Sequence, residues 1–339
     1  MSIDLISSCL PFLNKMMNQL TISSNEPSNQ EEVDILILGA GWTCTFLIPY
    51  IKTHTKLTYA STTRNGGGEF NSIPFTFDST GNNSKSYEKL PFTKCILITF
   101  PIKEIGAYQT LLENYSQTHQ NLEGFESVNV IQLGSTGIFD GGPTLNPTSN
   151  SEKPKRSETY IDRHSPYDQT NIRAKSEDEL LRINQTIIGS MKFYTTVLNL
   201  SGLYGNERSI RNYVSKVAPT KEILSTKTSI HMIHGIDVSR SILEVFNQFE
   251  KSRGQRWILT DQRVYDWWDL ASAWGESGLH GRKTEVTIGP QAKWVQELMV
   301  TDSIKVLPRS PDQLGRVLDS TEFWRTFGIS PVRARLESL

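Results

Sequence analysis

Cysteine is scarce in this chain. Only Cys9, Cys44 and Cys95 occur among 339 residues, an odd number at wide spacing. That excludes a disulfide framework and supplies no structural zinc ligand set, so no metal is expected. No run of about 18 or more apolar residues occurs, so no membrane-spanning helix is expected. An excess of charge is missing too: 35 Lys and Arg nearly cancel 36 Asp and Glu. Nothing electrostatic therefore points to nucleic acid or an anionic membrane as a partner. Residues 1–20 lack the basic stretch that opens a secretory signal, and the first Arg is Arg64, whereas a transit peptide is rich in arginine. The expected location is the cytoplasm, with the nucleus left open.

What is present is an alternation of strands and helices. Residues 21–32 are polar and read as the end of a flexible N-terminal arm, 1–32. Apolar segments of strand length then recur at 33–38, 57–61, 95–100, 128–133 and 196–200, with helical stretches between them. Such alternation predicts βαβ units and a parallel sheet. The expected fold class is α/β: a Rossmann-type doubly wound parallel sheet over 33–200, with a smaller C-terminal lobe over 201–339 and short segments crossing between the two. Residues 141–159, rich in Pro, Ser and Asn, read as a mobile loop. Six of the seven tryptophans follow residue 200, either filling a second core or lining a substrate pocket.

The most informative segment is the apolar run 33–38 followed by Gly39-Ala40-Gly41-Trp42-Thr43-Cys44 and a helical stretch. Gly39 permits the tight turn, Gly41 lets the backbone approach a pyrophosphate, and the helix start at Trp42 and Thr43 offers N–H groups to phosphate. Cys44 replaces the third glycine of this fingerprint. An NAD site usually places an acid about 20 residues beyond the glycines. Here Tyr59-Ala60-Ser61-Thr62-Thr63-Arg64-Asn65 has none. Ser61, Thr62 and Thr63 as hydrogen-bond donors and Arg64 as a bidentate partner favour a 2′-phosphate, hence NADP over NAD; Arg64 as a solvated loop residue is the alternative. Asp78, after an expected strand at 75–77, is either an acceptor for an adenine amino group or a turn aspartate.

The order of segments resembles the extended short-chain dehydrogenase/reductase superfamily, the NAD-dependent epimerases, dehydratases and reductases, and within it the atypical YeeZ-like branch. The matching pieces are Gly39-Ala40-Gly41-Trp42, Ser61-Thr62-Thr63, Leu97-Ile98-Thr99-Phe100-Pro101, Leu133-Gly134-Ser135-Thr136-Gly137-Ile138-Phe139, Leu200-Ser201-Gly202-Leu203-Tyr204-Gly205 and Ile233-His234-Gly235-Ile236-Asp237-Val238. The resemblance implies that Thr99, Phe100 and Pro101 lie beside the nicotinamide ribose and that the Ser135 hydroxyl bonds the reacting oxygen. Phe139 stands where the family's aromatic is usually Tyr. The family draws its proton from a Tyr four residues before a Lys, and none of the eleven tyrosines has a lysine at that spacing. Lys175 and Glu179 fall at the family's lysine and helix-acid positions, which leaves Asn171 at the tyrosine position. Tyr160, His164 and Tyr167 are the substitute acids just upstream, and Tyr167 is the one placed with Ser135 and Lys175 in the expected catalytic set.

Two functions follow. One is an NADP-dependent oxidoreductase or epimerase acting on a carbonyl or hydroxyl of a small or sugar-nucleotide-like substrate. The other is a catalytically inactive NADP-binding sensor, scaffold or regulatory subunit. His231 and His234, three apart, read as part of a structural strand and turn rather than a metal pair.

Overall fold

The structure is a computed structural model that describes residues 32–81, 83–119, 127–140, 160–275, 289–333 and 336. Most of the arm at 1–32 and the whole loop at 141–159 lie outside the described residues. Among the described residues no helix is long and apolar enough to cross a membrane.

An eight-stranded sheet carries the fold. Its strands are β1 (Glu32–Leu38), β2 (Tyr59–Thr63), β3 (Ile73–Pro74), β4 (Phe92–Ile98), β5 (Ser127–Ser135), β6 (Thr186–Ile188), β7 (Met191–Leu200) and β8 (Gln255–Leu259). They run in the order β3-β2-β1-β4-β5-β7-β8, all parallel, with β6 antiparallel on β7. The fold is thus the expected Rossmann-type α/β class. The strand expected at 75–77 is displaced, because β3 ends at Pro74, which follows Ile73 in pairing with β2.

Side-chain alternation explains why helices cover both faces. In β1, Leu36 and Leu38 enter one core while Ile35 and Ile37 enter the other. In β4, Ile96 and Ile98 pair off from Cys95 and Leu97 in the same way. Helices α1 (Cys44–His54) and α2 (Ala107–Thr118) lie on opposite faces, through Leu47, Ile48 and Ile51 for the first and Tyr108, Leu111 and Leu112 for the second. Helix α3 (Ile172–Arg182) joins α2 through Leu180, and α4 (Gly235–Asn247) joins α1 through Val238 and Ile242. Each such fully buried aliphatic side chain contributes about 1.5–3 kcal/mol of transfer free energy.

Beyond residue 200 the chain divides its tryptophans. Trp257 and Trp324 pack in the sheet's own core, whereas Trp267 and Trp268 of α5 (Trp267–Trp274) form a separate cluster with α6 (Gln291–Thr301). The buried pair Arg309–Asp266 sits at that cluster, with the guanidinium 4.0 Å from the Trp268 ring. The last described helix, α7 (Thr321–Phe327), returns to the sheet through Phe323, Trp324 and Phe327.

Candidate dinucleotide-binding site

β1 lies between β2 and β4, and the chain leaves it on one side and returns on the other. The crevice at the carboxyl ends of β1 and β4 is the topological switch point where α/β sheets bind ligands. The glycine turn sits there. Gly39 has φ +97°, and a Cβ on it would lie 2.8 Å from Thr99 Oγ1 and 3.0 Å from Phe100 Cδ1. Its N–H donates to Thr62 Oγ1 at 3.0 Å, the next N–H, of Ala40, donates to Thr62 O at 2.6 Å, and Thr99 Oγ1 donates to Gly39 O. The turn is therefore held from both neighbouring strands. Gly41 has open space where a Cβ would be. Among the described residues the backbone N–H groups of Trp42 and Thr43 meet no acceptor, and they stand at the start of α1, where N–H groups and the helix dipole favour an anion. Cys44 is fully buried with its Sγ 4.0 Å from Gly39 O, and burial pushes its thiol up to about 12. It serves packing, not chemistry.

Next to the turn, a cleft of about 550 Å³ is lined by Gly39, Thr63, Arg64, Phe77, Phe100 and Pro101 among others. A second, of about 490 Å³, takes in Ala40, Thr63, Arg64 and the three consecutive left-handed glycines Gly66, Gly67 and Gly68. Thr63 and the exposed Arg64 thus belong to both. Glu104 also lines the first cleft and Glu69 the second. Phe77 and Phe100 stack at 6.0 Å, forming an aromatic wall.

The phosphate contacts expected of Ser61 and Thr62 are corrected. Ser61 and Thr62 are buried, the first bonded to Ser72 Oγ at 3.0 Å and the second holding the Gly39 N–H. Their hydroxyls build the crevice instead of facing it, because β2 is an interior strand covered on both sides. Asp78 is the turn aspartate: its Oδ1 accepts from Thr80 N at 2.9 Å and Thr80 Oγ1 at 2.7 Å, which hold its carboxyl below the usual range.

Ser135 ends β5. Its Oγ accepts the Gly137 N–H at 3.1 Å, leaving the hydroxyl proton able to donate elsewhere. Lys175, expected beside it, is exposed. The face of α3 that meets the end of β5 is two residues out of step: Arg173 donates to Leu133 O at 3.0 Å, and Glu177 accepts the Ser135 N–H at 3.3 Å. On a helix a position two away points to nearly the opposite side, so bringing Arg173 and Glu177 inward turns Lys175 outward. Asn171 caps this helix, its Oδ1 accepting the N–H groups of Arg173 and Ala174. Tyr167 is engaged as well. Its hydroxyl donates to Asp178 at 2.7 Å beneath the Arg256 guanidinium, and burial, then the Asp178 carboxylate, raises its pKa. His164 pairs with Glu322 at 3.0 Å, and Tyr160 is half exposed.

Residue types alone did not reveal the buried polar group behind Ser135. Glu177, 1% exposed, accepts from Asn199 Nδ2 at 2.7 Å and lies 3.4 Å from Arg173 and 3.5 Å from Arg256. Burial pushes its carboxyl up, opposed by Arg256, Asn199 and Arg173. The Arg173–Glu177 spacing of four was the one available signal, since it marks a shared helix face. The histidines serve separate backbone groups: His231 Nε2 accepts the Leu318 N–H and His234 Nδ1 that of Ile236.

No family profile and no curated protein matches the sequence. Solved structures do match the fold. Yeast methylglyoxal/isovaleraldehyde reductase Gre2 complexed with NADPH aligns with a TM-score of 0.52 at 15% identity, over 90% of this chain and 94% of that one. MoeE5 in complex with UDP-glucose and NAD aligns at 0.50 and 13%, over 88% and 93%. A Methylobacillus flagellatus protein described as an NAD-dependent epimerase/dehydratase aligns at 0.50 and 12%, over 89% and 94%. The chain thus shares the α/β architecture of NAD(P)-dependent reductases and epimerase/dehydratases.

Proposed function

We propose that this chain binds NADP(H) at the glycine turn and belongs with the atypical, YeeZ-like extended short-chain dehydrogenase/reductases. The observation that carries the reading is the turn itself: Gly39 clamped between Thr62 and Thr99 at the switch point, with the N–H groups of Trp42 and Thr43 open to a pyrophosphate. Arg64 and Thr63, shared by the two clefts, support NADP over NAD. Gre2 is complexed with NADPH and MoeE5 with NAD, so proteins of this architecture hold either cofactor.

The geometry supports a role in which the cofactor is bound without tyrosine-driven turnover, as a sensor, scaffold or regulatory subunit. Tyr167 is committed to Asp178, His164 to Glu322, and Lys175 faces solvent. Ser135 favours the second reading, an oxidoreductase or epimerase acting on a carbonyl or hydroxyl. A bound nicotinamide would supply or accept hydride, and the Ser135 hydroxyl would donate a hydrogen bond to the reacting oxygen.

Titration with NADPH and NADH, followed by nicotinamide fluorescence, tests the binding reading, and the expected result is tighter binding of NADPH. Absence of binding would overturn it. Turnover of a panel of sugar-nucleotides and small carbonyls, lost in Ser135→Ala, would favour the enzyme. Tight NADPH binding with no turnover favours the regulatory role.

A further inference from the structure

The turn after Tyr204 brings a cation from the second half of the chain onto the cofactor's helix. Gly205 and Arg208 close a tight turn with two reciprocal backbone bonds, Gly205 N to Arg208 O at 2.9 Å and Arg208 N to Gly205 O at 3.1 Å. Asn206 Nδ2 donates to Thr45 Oγ1 at 2.8 Å, which fastens the turn to the first turn of α1. Gly205, at φ +114°, sits so close to the helix that a Cβ would lie 2.9 Å from Phe46 Cζ and 2.5 Å from His234 Nε2. The outcome is a fixed position for Arg208. Its guanidinium carbon lies 4.6 Å from the centroid of the Trp42 ring, and Trp42 is itself braced edge-on by Phe46 at 4.9 Å.

Among the described residues Arg208 has no carboxylate within ion-pair distance, and its side chain is exposed over the Trp42 ring. Trp42 is the residue whose backbone N–H opens the helix, and its indole N–H is buried with no acceptor among the described residues. A guanidinium stacked on this ring is restricted in its rotamers, so less entropy is lost when it closes on an anion. Resting on the proposed dinucleotide reading, we propose that Arg208 is a clamp for the cofactor's pyrophosphate: it pairs with a phosphate oxygen from the side opposite the N–H groups of Trp42 and Thr43. The dinucleotide thereby bridges the sheet and the segment after β7, and affinity for the diphosphate depends on residues as far apart in sequence as Trp42 and Arg208.

The test uses the full chain and two probes, NADPH and adenosine 2′-monophosphate, which retains the 2′-phosphate but has no pyrophosphate. Arg208→Ala is expected to weaken NADPH by about tenfold or more, the loss of a charge-assisted hydrogen bond. Arg208→Lys is expected to fall between that variant and the wild type. Affinity for adenosine 2′-monophosphate should change by less than about twofold, because that probe lacks the group Arg208 holds. Equal NADPH affinity in wild type and Arg208→Ala would overturn the clamp while leaving the cofactor reading standing. Equal weakening of both probes, or a large fall in melting temperature, would overturn it in favour of a structural role. If wild type binds adenosine 2′-monophosphate but not NADPH, both the clamp and the dinucleotide reading fall.

Discussion

The buried carboxylate of Glu177 accepts the backbone N–H of Ser135 at 3.3 Å and the Asn199 amide at 2.7 Å. One side chain of α3 thus ties the end of β5 to β7 at the point where Ser135 leaves the sheet. Removing it leaves the buried Arg256, 8% exposed, with only Asp178 at 2.9 Å, and leaves Arg173 without its carboxylate. Glu177→Ala is expected to cost about 3–5 kcal/mol in urea denaturation, as breaking a buried ion network does. Glu177→Gln, which keeps the acceptor, should cost less. A loss below about 1 kcal/mol for the alanine variant would contradict the buried-network account.

Thr62 and Arg64, two residues apart, should give opposite phenotypes. Thr62→Val strands the Gly39 N–H and is expected to cost about 1–3 kcal/mol of stability. Arg64→Ala touches only exposed surface, so stability should hold within about 0.5 kcal/mol while NADPH affinity drops about tenfold and NADH affinity does not. An unchanged NADPH to NADH ratio would remove Arg64 from the phosphate site.

Lys175→Ala is expected to change neither stability, by more than about 0.5 kcal/mol, nor NADPH affinity, because the side chain is exposed on the far side of α3. Tyr167→Phe should cost about 1 kcal/mol for the lost bond to Asp178 and leave NADPH affinity intact. Strong loss of cofactor binding in Lys175→Ala would show that the helix presents the family's lysine after all.

Stability should also carry a signature of Asp261. Burial raises its carboxyl from 3.8 to about 6, opposed by the Tyr265 hydroxyl at 2.5 Å and the Arg263 N–H, and assisted by Asp237. A carboxyl whose folded pKa is raised binds its proton more tightly in the native state. Its contribution is therefore complete below pH about 3.8 and is lost as pH rises through about 6, a change of about 3 kcal/mol. Asp261→Asn keeps an acceptor for the Arg263 N–H and turns an amide N–H toward the Tyr265 oxygen, which can accept it, so it should flatten that segment of the stability profile and raise stability near pH 7. Denaturation midpoints measured across this range that decline equally in both proteins would assign the effect elsewhere.

The extent to which the site was legible varies with the kind of residue. Gly39 and Gly41 could be read because a backbone conformation limits which residue can occupy it. The apolar runs of β1, β4 and β5 could be read because a strand buried on both faces has no polar alternation to confuse it. Ser61, Thr62 and Thr63 could not be told apart: three consecutive hydroxyls look alike until Ser72, Gly39 and the clefts sort them. Counting to Lys175 by family position missed the register because Arg173 and Glu177, not the lysine, find partners in Leu133, Ser135, Asn199 and Arg256.

Local sequence by itself determined the glycine turn, the parallel α/β class and the absence of a Tyr-x-x-x-Lys pair, since each depends on residues within one turn or one strand. Tertiary structure alone decided which hydroxyls are buried, which face of α3 meets β5, and that Arg208 lies on Trp42. Those outcomes depend on groups distant in sequence, Asn206 and Thr45 being 161 residues apart and Ser135 and Glu177 42 apart. Whether a side chain is free to bind a ligand is set by the partners that folding brings to it, and no local pattern records them.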